Sequence, residues 1–198
     1  MPPRVLNRYV WLKRVEAALR GLPPSTRRRI ALEQVRRCRE LTAEVRALER
    51  EIRSLMRSLA PELVALPGCS ALLAAQLVGQ VAGAARFSSE AAFAMHAGTA
   101  PLPVSSGKST RHRLNRTGNR RLNAAIHMIA ITPARVHPSA IAFMARKQGE
   151  GMSGREARLC LKRHIAKTVF KAMLCSERAR AGEVVRAEFG VEVLAVAV

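Results

Sequence analysis

The sequence predicts a mostly α-helical protein, in which a long coiled-coil arm precedes a compact helical domain containing a helix-hairpin-helix-like motif. Three observations support that class. Cys38, Leu41, Val45, Leu48, Ile52, Leu55 and Leu59 recur at alternating steps of three and four, the a/d seam of a coiled coil. Apolar residues keep helical spacing through most of the rest of the 198-residue chain, punctuated by caps and breakers. No strand-rich block and no internal repeat interrupts them.

Residues 4–21 carry a mixed apolar and basic helical pattern that "GLPPS" breaks. In the arm that follows, Glu33 with Arg37 and Glu49 with Arg53 add outward-facing pairs in the favourable i,i+4 order. Its seam must bury itself against another helix: residues 4–21 folded back, the same arm of a second protomer, or the chain's own globular domain. Pro61 ends the arm. "LPGCSALLAAQLVGQV" then outlines a helix-hairpin-helix, a turn that aims helix N-terminal amides at a phosphate. Ser70 stands where the usual hairpin has a second glycine, so a plain packed hairpin is an equal expectation.

"RFSSEAAFAMHAG" predicts a short helix with Ser89 as N-cap and Gly98 as stop. "APLP" forces the next stretch to start extended, and Gly118 and Asn119 lead into the helix "NRRLNAAIHMIAITPARVH". Pro138 starts another helix, which "GEGMSG" ends, and Ser153 with Glu156 forms a capping box for the last long helix. The expected division is therefore an arm over residues 1–60, a domain over 61–176 and a tail over 177–198 with no assigned role.

A formal charge of +20 sets compact folding against self-repulsion unless a polyanion neutralises it, which makes nucleic acid the leading partner. All 14 acidic residues are glutamates, and none lies between Glu90 and Glu150. Metal-dependent phosphoryl transfer uses clustered carboxylates, so this chain is expected to bind no metal and no cofactor of its own. Cys38, Cys69, Cys160 and Cys175 are scattered without C-x-x-C spacing, as suits reduced thiols in the cytoplasm. Cys160 and His164 lie one helical turn apart, but two ligands do not close a zinc site. The apolar run "ALLAAQLVGQVAGAA" is shorter than a bilayer span and holds two glutamines, so it is expected in the core and not in a membrane.

The segment "PVSSGKSTRHRLNRTGNRRLN", residues 103–123, concentrates the chemistry. A serine hydroxyl attacks a phosphodiester only when its proton is taken and the phosphate charge is offset. Lys108, Arg111, Arg113, Arg116, Arg120 and Arg121 supply that offset and are the candidate nucleic-acid contacts. On composition alone, a solvated phosphate-binding turn is the commoner reading of such a stretch. His112 adds a possible phosphate contact, whereas His96, His127, His137 and His164 have no partner in sequence and are expected in packing or surface roles.

Several motifs in order, "LPGCSALLAAQLVGQV", "RFSSEAAFAMHAGTAPLPVSSGK", "HRLNRTGNRRLNAAIHMIA" and "HPSAIAFMARKQGEGMSGREARLCLKRHIAKTVFKAM", resemble the C-terminal transposase domain of the insertion-sequence family numbered 110/116/902. Residues 4–52 resemble that family's helical connector. The resemblance implies a DNA transposase whose RuvC-like domain carries an acidic Mg2+ site and whose C-terminal domain carries a serine nucleophile. It also implies oligomers formed through the coiled coil and a guide RNA encoded in the element. The family's serine falls on Ser106, with Ser105 the near alternative. The resemblance begins within the connector, and the chain contains no aspartate. It is therefore expected to lack the RuvC-like domain, and to bind nucleic acid alone without cutting it.

Overall fold

A computed structural model describes residues 9–106, 109–115 and 117–182; for 103–106 and 109–114 the description is of the backbone and its pairing. The chain divides into two units, residues 1–52 and 53–198.

In the first unit, α1 (Tyr9–Arg20) turns back along the start of α2 (Thr26–Leu59). The Pro23-Pro24 pair forbids a continuous helix. Arg28 then donates from Nε to the Leu19 carbonyl and from Nη2 to that of Arg20, both at 3.0 Å, satisfying orphan acceptors at the end of α1. Arg39 pairs with Glu16 across the two helices, and Leu12 and Val35 are buried. The fold-back leaves the predicted seam uncovered: Leu41, Val45, Leu48 and Leu55 remain exposed, Leu48 at 57%.

The second unit is a helical domain with one two-stranded ribbon. α3 (Pro61–Ala65) and α4 (Ala71–Val81) are joined by a tight turn in which Ser70 caps α4, accepting from the Leu73 amide at 3.3 Å. Ser70 thus does as a cap what the expected glycine would do by conformation. Gly68, at φ +82°, lies over the carbonyl of Ile129, whose usual helical donor is missing because residue 133 is proline. A Cβ at Gly68 would come within 2.8 Å of that oxygen, so this turn packs on the domain's own helix that carries Ile129 and Pro133.

α5 (Glu90–His96) is capped by Ser89, and Gly98 follows it at φ +65°. α6 (Arg120–Val136), α7 (Pro138–Gly149) and α8 (Gly154–Arg180) complete the domain, with the Ser153–Glu156 capping box at the start of α8. α6 buries Leu122, Ala125, Ile126, Ile129 and Pro133, a single helical stripe, and α8 answers with Leu161, Ile165, Val169 and Met173. Phe93 stacks on Phe170 at 5.1 Å, holding α5 to α8. Lys167 and Lys171 reach Glu90 on the same side. Glu177 accepts the amides of Ala84 and Ala85 at 2.7 and 3.0 Å, tying the loop after α4 to α8. α8 runs through residue 176 to Arg180, and residues 183–198 of the tail lie outside the described residues.

Between α5 and α6 the chain forms an antiparallel ribbon, β1 (Pro101–Ser106) with β2 (Ser109–Leu114). The mostly helical expectation holds, but this segment is paired strand where the sequence suggested an extended start and a flexible turn. At the foot of the ribbon, Gly118 packs directly on Gly98. A Cβ at 118 would overlap the Gly98 backbone and lie 2.9 Å from the His96 carbonyl. Gly118→Ala should therefore cost about 1–3 kcal/mol and lower Tm by about 3–10 °C in a thermal melt. An unchanged melt would show that the two glycines do not touch.

Candidate nucleic-acid interface

Three asparagines spaced four apart build the platform on which the ribbon stands. Asn115, nearly fully buried, donates from Nδ2 to the Met95 carbonyl at 3.2 Å and accepts at Oδ1 from Thr117. Asn119 donates its backbone amide to the His96 carbonyl at 2.7 Å. Its Oδ1 caps α6 by accepting from the Arg121 and Leu122 amides, and its Nδ2 reaches Gln80 at 3.1 Å. Asn123 donates from Nδ2 to the carbonyls of Ala97 and Gly98 at 2.9 and 2.8 Å. That leaves its Oδ1 as the acceptor for Lys162 Nζ at 2.6 Å. The carbonyls at the end of α5 are thus satisfied by asparagine side chains and by the Asn119 backbone amide, which spares a sharp turn from burying unpaired acceptors.

The register of the ribbon separates the two candidate serines. Ser106 pairs with Ser109, Val104 with Arg111 and Leu102 with Arg113, whereas Ser105 pairs with Thr110 and Pro103 with His112. Directly opposed residues share a face and alternate along each strand. Positions 106, 111 and 113 therefore lie on one face of the ribbon, and 105, 110 and 112 on the other. Lys108 and Arg116 lie outside the described residues. Arg120 and Arg121 open α6 and are exposed.

Three histidines find partners that sequence spacing did not reveal. His96 Nε2 lies 3.4 Å from Arg86 Nη2, His137 Nδ1 is 2.9 Å from Ser139 Oγ, and His164 packs edge-on against Phe143. His127, expected in a packing or bland surface role, instead stands beside Lys162 and Arg158. Burial and those two cations hold its pKa below the ordinary value of 6.5. Burial likewise pushes the Lys162 ammonium below the usual lysine range, and the Cys69 thiol up to about 12. Asn123, His127 and Lys162 were missed as a group because they meet only where α6 packs on α8. The four-residue repeat of asparagines was the one visible signal.

The described carboxylates of the domain do not converge on a site for a divalent metal. Among the described residues no three His, Cys, Asp or Glu side chains converge. Glu62 bonds Ser176, Glu90 its two lysines, Glu150 Lys147, Glu156 its own cap and Glu177 two amides. Also among the described residues, no helix is long and apolar enough to cross a membrane.

This is a basic, mostly helical domain that carries a serine-bearing ribbon on an asparagine-pinned platform. Residues 60–145 match the family described as Transposase IS116/IS110/IS902 family. Residues 60–145 are thus a domain of that family. It is 32% identical over 142 residues to the "Insertion element IS116 uncharacterized 44.8 kDa protein" of Streptomyces clavuligerus. The match takes in 70% of this chain, which spans about a third (35%) of that relative's length.

His96, His127 and His164 all hold their protons less tightly folded than unfolded. The unfolded chain therefore gains protons first as pH falls through the ordinary value of 6.5, so stability is full above it and lost below. His127→Gln should shrink the fall in Tm between about pH 7.5 and about pH 5.5. An identical fall in the variant would show that His127 is not desolvated beside Lys162.

Proposed function

We propose that this chain is the serine-bearing part of a DNA transposase that acts in DNA recombination in the cytoplasm. The observation that carries the reading is the ribbon register, which sets position 106 on the same face as Arg111 and Arg113, within a domain of this transposase family. In the proposed step the Ser106 oxygen attacks a backbone phosphorus. A serine–phosphate ester forms, one strand P–O bond breaks, and the proton from the hydroxyl is passed on as the departing strand oxygen gains one. Arg111 and Arg113, with Lys108, Arg116, Arg120 and Arg121, offset the phosphate charge and grip the backbone. Ser105, of opposite parity, is the weaker candidate.

Because the described glutamates of the domain are engaged in its own structure, a RuvC-like segment outside these 198 residues would bring the acidic metal site. A guide RNA is a further proposed partner, supported by the family and by the +20 charge. The exposed row Leu41, Val45, Leu48 and Leu55 on α2 favours a homo-oligomer paired through a coiled coil.

With the RuvC-like part supplied in trans, Ser106→Ala should cut strand transfer about a thousand-fold or more and leave duplex affinity unchanged, while Ser105→Ala keeps most of it. Full strand transfer by Ser106→Ala would leave a basic protein that binds nucleic acid without taking part in chemistry. In sedimentation equilibrium the Val45→Glu/Leu48→Glu double variant should be monomeric and still helical where the unaltered chain self-associates. A monomeric unaltered chain would remove the coiled-coil proposal.

A further inference from the structure

At the foot of the ribbon, α6 and the N-terminal half of α8 enclose a cleft of about 640 Å³. Arg120 enters it from α6, and Arg155, Arg158 and Lys162 from α8. Positions 155, 158 and 162 are spaced three and four apart, so one face of α8 presents all three cations. Among the described residues, no acidic side chain lines the cleft. On another side of α8, Lys167 and Lys171 pair with Glu90, so those two cations are neutralised where the cleft cations are not.

Lys162 separates this cleft from an ordinary solvated basic surface. It is 5% exposed, and an ammonium has three protons to donate, of which one meets Asn123 Oδ1 at 2.6 Å. Burying a cation without a counter-charge costs several kcal/mol, and among the described residues no carboxylate pairs with it. Asn123 has no freedom to turn away, because its Nδ2 is held by the Ala97 and Gly98 carbonyls. The platform that fixes the ribbon thus also fixes a buried ammonium at the cleft floor, with two exposed guanidinium groups and Arg120 at the rim. A tetrahedral oxyanion matches that donor set, since guanidinium forks grip it in pairs and the ammonium meets it as a point charge.

We infer that the α6–α8 cleft binds a phosphate of a nucleic-acid backbone through Arg155, Arg158 and Lys162, anchoring the strand away from the ribbon tip. The inference rests on the proposed nucleic-acid function only for the source of the phosphate. Asn115, which lines the cleft, directly follows β2. The six-residue strand spans about 20 Å between the cleft and the position of Ser106, roughly six base-pair steps of a duplex.

The test uses the full chain, fluorescence anisotropy with a twenty-base-pair duplex over a salt series, and thermal melts with inorganic phosphate against chloride at equal ionic strength. Arg155→Gln/Arg158→Gln should weaken duplex binding about ten-fold and flatten the slope of log K against log salt by about 0.9, the loss of one phosphate contact. It should also abolish the phosphate-specific rise in Tm. Arg27→Gln/Arg29→Gln, with the same charge loss on exposed α2 positions, should change the slope by less than half as much. Lys162→Met should mimic the cleft variant, and a Lys162→Met chain that fails to fold leaves the double variant to decide. Equal effects of the cleft and α2 pairs would reduce the cleft to general charge. A phosphate effect that depends on the cleft with unchanged duplex binding would make it a free-phosphate site and overturn the backbone assignment. Strand transfer is read in neither arm, so loss of the Ser106 proposal leaves this result standing.

Discussion

The contact between Gly98 and Gly118, with the asparagine hydrogen bonds on either side of it, is the constraint on which the rest of the structure depends. Two backbone segments approach so closely that neither glycine can carry a side chain without displacement. Such an approach would strand the carbonyls of residues 96–98, which Asn119 and Asn123 meet, while Asn115 adds a second donor to that of Met95. Each bond adds about 1 kcal/mol net, and leaving its acceptor buried and unpaired would cost more. The same three residues set where β2 ends, where α6 begins and where Lys162 points.

Charge is organised around that platform. A protein at +20 gains little from scattering its few acids, and the second unit uses each described glutamate as a cap, a strut or a partner for cations on the α5 side of α8. The opposite face of α8 and the start of α6 keep their cations unneutralised. Self-repulsion there lowers stability and raises affinity for a polyanion, a trade that suits the proposed nucleic-acid partner.

Much of the helical plan was legible because caps and breakers act locally. Ser89, Pro138 and the Ser153–Glu156 pair announce helix starts with residues a few positions apart, and each stands where the sequence placed it. The ribbon was not legible in the same way. Residues 101–114 offer few β-branched and no aromatic side chains, so propensity is weak. The available sign was a glycine-led pair, Gly107-Lys108, between two runs of equal length. Ser70 was read as a defect in a known motif and proves to be a helix cap. His127 and Lys162 carry no local signal, because 35 residues separate them and only the packing of α6 on α8 brings them together. Register parity, which separates Ser106 from Ser105, is likewise a property of pairing and not of composition.

The central proposal is chemical: Ser106, whose position shares a ribbon face with positions 111 and 113, becomes esterified to a DNA strand. The most direct measurement is to quench a reaction of this chain, the RuvC-like part and DNA in denaturant, digest both polymers and locate the nucleotide-bearing peptide by mass spectrometry. The account predicts a phosphoester on Ser106. An adduct on Ser105 or Thr110, or strand transfer with no protein–DNA ester at any stage, would contradict it.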